Sequence, residues 1–500
     1  MWGWEDTVVW VLGAALAAGV TGDPKVAASA LFLFAWWVRR SRPSGVTAAL
    51  FAVTVGAFAL YGFISIAGFR RDLSRVSAAA AGPGGRGYLE GWVCGFPGYR
   101  YGGMTFDFRT RVDGVVCVVR VRTKEFAVSY GDSLRVDGVW KLPEEGSRGA
   151  FERRLIGQGV CGDFRVAPGG VERLGGVGGS WVTRRILSPC HDRLRRELSR
   201  GLGSNSGFPI AVFLGETGYL ERRSGNAFTA LGITHLIALS GQHLYFIAGA
   251  VMILLRLVRR RSSALLLFAI SLYVGVVGFI VSLWRSFVMV LVLALAAALK
   301  RPLDPVKVLG EAFVIVLLFF PNTYYAVGFQ LSFLATLALL LCVRGLRPGV
   351  SKTVVSRVWF WVRSSLEVSV AAQLVVTPVL IHYFDRVSVL APIATLVFVF
   401  PVAFVLLFSG FAAISSVLVP VVGPVLFAVL DRVVAMLEQS VVVSASLVPG
   451  TVSPPPPEPC LYYAGLAFLA YARGHTGRKV AGWSLLAVSF AIGAFRGQLF

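Results

Sequence analysis

The chain has 500 residues, 56% of them hydrophobic and only 15% charged, with a mean hydropathy of +0.72. A water-soluble chain of this size cannot keep so much apolar side chain out of solvent, so soluble, collagen-like, disordered and disulfide-scaffold classes are excluded and a polytopic membrane protein remains. The 48 Lys and Arg against 26 Asp and Glu give a net charge of +22, for which basic cytoplasmic loops, anionic lipid heads and a polyanionic substrate are three separate causes.

A spanning helix needs about 20 apolar residues. Runs near 7–21, 24–38 and 45–68 supply three spans. The first follows Met1–Asp6, which lacks a basic leader, so it reads as a retained span. Arg39, Arg40 and Arg42 place the turn after the second run in the cytoplasm, so the N-terminus reads as inside. Hydropathy then collapses from 71 to about 205, and three preceding spans put this region outside. Within it the periodicity changes to two. Strands are expected at 88–94, from Phe106, from Val112 to Arg122, at 132–140 and at 160–166, with Asp113-Gly114 as a hairpin turn. With a short helix at 148–156, they suggest a small closed all-β barrel of the OB type over 71–170. Residues 168–180 read as a Gly-rich linker, and 184–200 as a basic amphipathic helix suited to the outer membrane surface, so that 171–205 forms one connecting unit.

Spans resume in the region 206–500. They are expected near 240–258, 263–282, 285–299, 308–320, 327–343, 358–383, 388–418, 421–447, 460–472 and 480–497. Basic turns alternate with turns at 321–326 and 448–459 whose only charge is Glu458, which predicts 11 to 13 spans in all and an outside C-terminus. The fold class is therefore a polytopic α-helical membrane protein with an exterior OB-like domain inserted after the third span. Pro401, Pro420 and Pro424 interrupt the runs near 388–447, where a broken helix is the alternative.

Three polar clusters enter these apolar runs. The first is Gly232-Ile233-Thr234-His235 through Ser240-Gly241-Gln242-His243. On spacing alone it reads as a helix break capped by its own Ser and His; lining of a polar path is the sharper alternative. The second is Gly328-Phe329-Gln330-Leu331-Ser332-Phe333, with Arg285 preceding it, and interhelix hydrogen bonding is its ordinary explanation. The third is Gln373, Thr377-Pro378 and His382, where Gln373 can satisfy backbone groups released by a kink at Pro378. No GK[ST] loop, GxSxG elbow, CxxC pair or His/Asp cluster is present. No ATP motor, catalytic residue, cofactor or metal site is therefore expected.

Together the three clusters resemble the ComEC-type competence family. Gly215, the run Gly232–His243, Arg285, Asp304, Pro321, Gly328–Phe333, Gln373, Pro378, Phe384, Ser388, Pro392 and Pro401 follow in the family's order. Upstream, Leu142-Pro143-Glu144-Glu145 and Phe151–Gly159 resemble the close of the family's OB-like domain. Gln242 and Thr395 depart from its pattern, and the metallo-β-lactamase-like domain of many members is absent from this sequence. The resemblance implies a channel importing single-stranded DNA across the cytoplasmic membrane during natural transformation. An exterior DNA receptor, a cytoplasmic helicase and a separate nuclease protein would be its partners. It also implies that the strands holding Cys117 and Cys161 are neighbours, and from that a Cys117–Cys161 disulfide, with free thiols or a pair using Cys94 as the open alternatives.

On this reading His235, Ser240, Gly241, His243, Arg285, Gln330, Ser332, Gln373 and His382 line or shape the path. Arg100, Arg109, Arg111, Arg120 and Arg122, interleaved with Tyr88, Trp92, Phe96, Phe106, Phe108 and Trp140, suit backbone attraction with base stacking. Arg193, Arg195 and Arg196 of the basic helix add capture near membrane lipids. The competing reading of the β region is an ordinary barrel core with solvated arginines, since 13 basic residues face 10 acidic ones between 85 and 170. The rival function is a small-solute permease whose exterior domain is structural.

Overall fold

The computed structural model describes residues 45–80, 85–100, 103–124, 128–141, 153, 155–259, 262–298, 304–343, 353–447 and 451–454, with Tyr462, Leu466 and Leu486. The expected spans at 7–21, 24–38, 460–472 and 480–497 lie outside the described residues, apart from those three. The chain divides into two compact units. One comprises Met1–Glu221, Ile237–Phe329 and Ala403–Ala435; the other comprises Arg222–Leu236, Gln330–Val402 and Met436–Phe500.

The first helix among the described residues of the first unit is α1 (Gly45–Ala80). It runs a dozen residues past the expected span, through Arg70, Arg71 and Arg75. Ile66, Phe69, Leu73 and Val76 recur at three and four residues, which places them on one helical face. Ile66, Leu73 and Val76 are buried in the core of the β domain, with Phe69 packed against it. Charge lowers the local hydropathy while the stripe keeps the helix going, because burial against the sheet, not lipid, holds its last turns.

Six strands follow: β1 (Arg86–Val93), β2 (Gly98–Arg100), β3 (Gly103–Val112), β4 (Val115–Thr123), β5 (Asp132–Lys141) and β6 (Asp163–Val177). The sheet order is β1-β5-β6-β4-β3-β2, and β1 also pairs with β3, so five strands close into a ring. All pairings are antiparallel except β4 with β6. Asp113 and Gly114 both hold positive φ, 46° and 77°, as a tight turn between right-twisted strands requires. Period-two alternation sends Phe106, Phe108, Val119, Val121, Leu134, Val136 and Phe164 into the core. Residues 168–177, expected as linker, continue β6 along β5 with two register shifts. Glycine signals a loop in sequence, but Gly170 and Gly176 lie close to Asp137 and Ser133, where larger side chains would crowd β5.

A π-helical turn (Thr183–Leu187) leads into α2 (Ser188–Leu202), then α3 (Gly207–Leu214). Later helices are α4 (Arg222–Ala230), α5 (Gly241–Leu257), α6 (Ser263–Val277), α7 (Val281–Ala298), α8 (Pro305–Phe319), α9 (Val327–Val343), α10 (Val354–Phe384), α11 (Ala391–Leu418) and α12 (Gly423–Leu447). Eight of the expected later spans therefore correspond to α5–α12. Among the described residues, Ala52–Ala80, Thr234–Leu257, Val354–Phe384 and Ala391–Leu418 are long and apolar enough to cross a membrane, and Ser263–Val277, Val281–Leu295 and Val327–Leu340 are shorter apolar helices. In the second unit Val387–Ser388 pairs antiparallel with Thr451–Val452.

The ring is tightest where glycines face neighbouring backbone. A Cβ on Gly138 would strike Arg165 O and approach the Phe164 ring to 2.8 Å, whereas Gly87 meets nothing. Gly138→Ala should lower the stability of the chain by about 1–3 kcal/mol, while Gly87→Ala stays within about 0.5 kcal/mol. Denaturant unfolding followed by near-ultraviolet circular dichroism measures both.

Candidate functional site

Two groups of polar side chains gather in the helical part, one in each unit. In the first unit Ser240 is the N-cap of α5, with φ −130° and ψ 175°. Its hydroxyl accepts from the His243 backbone N–H, and the Ser240 backbone N–H donates to His243 Nδ1 across 3.3 Å. Ser240 Oγ also lies 3.0 Å from that nitrogen. Gly241 is required at the first helical position because a Cβ there would strike Ser286 Oγ and meet Arg285 Nη2 at 2.8 Å. Ser286 Oγ donates to Ser282 O at 3.1 Å, and Ser282 Oγ to Leu239 O at 2.6 Å. Arg285 is 5% exposed and His243 3%, so the guanidinium sits sealed against the N-terminal end of α5.

In the second unit, the turn Thr234–Leu236 carries His235, whose Nε2 is 3.4 Å from Thr395 Oγ1 on α11. Gly232, at φ +74°, leaves room for Ser388 and Ala391. Gln373 Nε2 reaches Ser388 O at 3.5 Å, and Thr377 Oγ1 donates to Gln373 O at 2.7 Å. Gln330 Nε2 donates to Tyr383 Oη at 3.4 Å, and Ser332 O accepts from Thr336. His382 is exposed, its ring edge-on to Tyr383. Proline at 378 removes the donor that Leu374 O would have had four residues on. The Tyr462 hydroxyl supplies it at 2.8 Å, so a residue 88 positions away does what Gln373 was expected to do. Tyr462 carried no signal in the sequence, since the partner of a proline-freed carbonyl is chosen by packing.

The β-domain arginines divide. Arg109 and Arg111 are exposed on β3. Arg100 lies on β2 opposite Gly103. Arg120 is tied to Asp107 at 2.8 Å and to Gln158 at 2.8 Å. Burial opposes its charge, but Asp107 prevails and holds it above the ordinary guanidinium range. Arg122 pairs with Asp163 at 3.2 Å. The expected stacking platform is largely core: Phe106 and Phe108 are buried, Trp140 packs on Phe164, and Phe96 and Trp92 pack on Tyr130, leaving Tyr88 exposed. The expected surface helix is likewise packed. Helix α2 buries His191, Leu198 and Leu202, with Gly201 against Phe427. Arg193 pairs with Glu197 at 3.1 Å, Arg195 with Asp192 at 2.7 Å, and Arg196 Nε donates to Asp192 O. Of the apolar positions that sequence periodicity offered, Leu198 is buried while Ile186 is exposed, and the sequence did not show that protein would cover the helix.

Cys117 and Cys161 are neighbours, as expected, and stand as free thiols. The Cys161 thiol donates to Cys117, which pulls Cys117 below the usual thiol value and, together with burial, pushes Cys161 above it. Burial, aided by Asp107, pushes Cys94 up to about 12. Among the described residues no group of three His, Cys, Asp or Glu is placed to hold a metal ion.

The sequence pattern of the competence protein family matches residues 212–476. ComE operon protein 3 of Bacillus subtilis (strain 168) is 29% identical over 194 residues, a match covering 37% of this chain and 23% of that protein's length. No solved structure matches.

Gly241→Ala should displace Arg285 and cost about 1–3 kcal/mol, whereas Gly249→Ala, with nothing near its Cβ, should not destabilise. Thermal unfolding in detergent compares them. At mildly alkaline pH, maleimide should label exposed Cys190 and spare Cys94, read by mass spectrometry.

Proposed function

Because the chain belongs to the competence protein family, we propose that it is a channel through which single-stranded DNA crosses the cytoplasmic membrane during natural transformation. The observation that carries this reading is Arg285 lodged against the N-terminus of α5. A helix N-terminus is the positive end of its dipole, so a guanidinium beside it is unfavourable for the protein alone. For a passing phosphate the same pairing is attractive, and the apolar surroundings strengthen it. In the arrangement described the cluster is closed, so conduction requires the helices around it to part. A phosphate cannot cross hydrocarbon bare, which makes such a charge-lined opening the least costly route.

The second polar group, around His235, Gln373 and Gln330, is assigned to lining a path for DNA. The β domain is read as an OB-type barrel on the outer face; its five-strand ring with one parallel pair supports that reading. Arg109 and Arg111 are its open phosphate contacts. An oxidised Cys117–Cys161 bridge is assigned to the protein outside the cell, where disulfides persist. No covalent chemistry is assigned to the chain. Energy, receptor and strand degradation come from partner proteins: a cytoplasmic helicase, an exterior DNA receptor and a separate nuclease. A small-solute permease is the second reading, favoured by the internal pairing of Arg120, Arg122, Arg193 and Arg195.

Binding of single-stranded DNA by the detergent-solubilised chain, measured against salt, separates the two. A channel for DNA should show steep salt dependence, about 0.7 in log–log slope per phosphate contacted, and Arg109→Ala with Arg111→Ala should flatten the slope by about 1 or more. Arg285→Ala should lower transformation at least about tenfold at equal protein level, with Arg285→Lys recovering part of it. Salt-independent binding together with undiminished transformation overturns the proposal.

A further inference from the structure

His191 and Glu216 belong to none of the polar clusters above, yet they form the most enclosed acid–base contact described. His191 on α2 is 2% exposed. Its Nδ1 lies 2.8 Å from Val276 O, one of the last carbonyls of α6, and its Nε2 lies 2.6 Å from Glu216 Oε1. Phe96, in the loop after β1, stacks on the imidazole with ring centroids 4.9 Å apart and packs in turn on Tyr130. Gly278, at φ +91° just past α6, makes room for that Phe96 ring. From the histidine's own helix, Arg195 places Nη1 3.7 Å from Glu216 Oε1 and 3.3 Å from Pro97 O, while Asp192 takes its Nη2 at 2.7 Å. The titratable and charged groups facing the pair are therefore Arg195, Asp192 and, behind Phe96, Tyr130; α6 contributes a backbone carbonyl.

The proton count follows from the geometry. A carbonyl oxygen only accepts, so Nδ1 carries a hydrogen. A neutral ring would then aim its Nε2 lone pair at a carboxylate oxygen 2.6 Å away, and two acceptors do not approach so closely. One further proton must lie between Nε2 and Oε1. The α6 C-terminus favours placing it on the ring, since the helix end and the carboxylate both attract an imidazolium. Glu216 Oε2 is buried with no hydrogen-bond partner, so Oε1 is that carboxylate's one bonded oxygen.

We infer that the His191–Glu216 pair is a one-proton latch that holds the β domain, through Phe96 and Pro97, on α2 and the end of α6. When the proton passes to a base in solvent, lone pair faces lone pair and the contact opens. Protonating the carboxylate instead leaves Oε1 accepting from the ring but removes the charge that holds the imidazolium, so strong acid weakens the contact without setting lone pair against lone pair. From mildly acidic pH upward the device releases as pH rises.

Hydrogen–deuterium exchange of the full chain in detergent tests this, after correction for the intrinsic base-catalysed rate. Protection of peptides covering 94–98 and 276–280, relative to β3, should fall at least about tenfold from mildly acidic to alkaline pH, the scale of one buried charge-assisted hydrogen bond. In Glu216→Gln the amide donates to the Nε2 of a neutral ring, so protection should stay level with pH. Flat protection in the wild-type chain overturns the latch, and so does the same alkaline loss in Glu216→Gln. The wild-type profile decides alone if the variant fails to fold.

Discussion

Polar atoms inside an apolar bundle find no water, so each must be met by another group of the same fold. The helical part is organised by that constraint. Ser240 and His243 satisfy one another at the start of α5, Ser286 and Ser282 return their hydroxyls to backbone carbonyls, and Thr377 does the same within α10. Where Pro378 leaves Leu374 O without its helical donor, Tyr462 takes its place. Arg285 is met as well, its Nη1 donating to Met289 Sδ at 3.3 Å, but its place in the fold carries meaning. Its charge rests at the positive end of a helix, a position that protein stability alone does not favour and that an anion would.

Charge in the β domain obeys the same rule in a milder form. Where β4 and β6 run parallel, Arg120 and Arg122 lie near Asp163 and Asp107, and both arginines become part of the wall. Arg109 and Arg111, on the outward face of β3, stay open. The difference is one of strand face and partner, set by the period-two alternation and by which strand arrives alongside. Helix α2 repeats the pattern in part, with Arg193 answered by Glu197 and Arg195 by Asp192 and Glu216.

Much of this was legible in the residues. The strands, the Asp113-Gly114 turn and helices α5 to α12 fall where alternation, turn chemistry and apolar runs put them, and the Ser240–His243 cap follows from a helix-start pattern. Other features were misread for definable reasons. Arginines masked the continuing stripe Ile66-Phe69-Leu73-Val76, so α1 seemed to end early. Glycines made β6 look like a linker. Aromatic residues between arginines suggested a stacking surface, but Phe106 and Phe108 sit at core positions of β3, where the ring closes over them.

The sequence by itself determined the class of protein, the apolar helices, the β domain between them and the family, because hydropathy, periodicity and short ordered motifs are local properties of the chain. Only the tertiary structure decided which arginines stay free, that Tyr462 completes α10, that Cys117 and Cys161 meet as thiols, and that His191 finds Glu216. Each of those depends on groups far apart in the chain arriving within a few ångströms of one another, and no local pattern encodes which distant partner will be there.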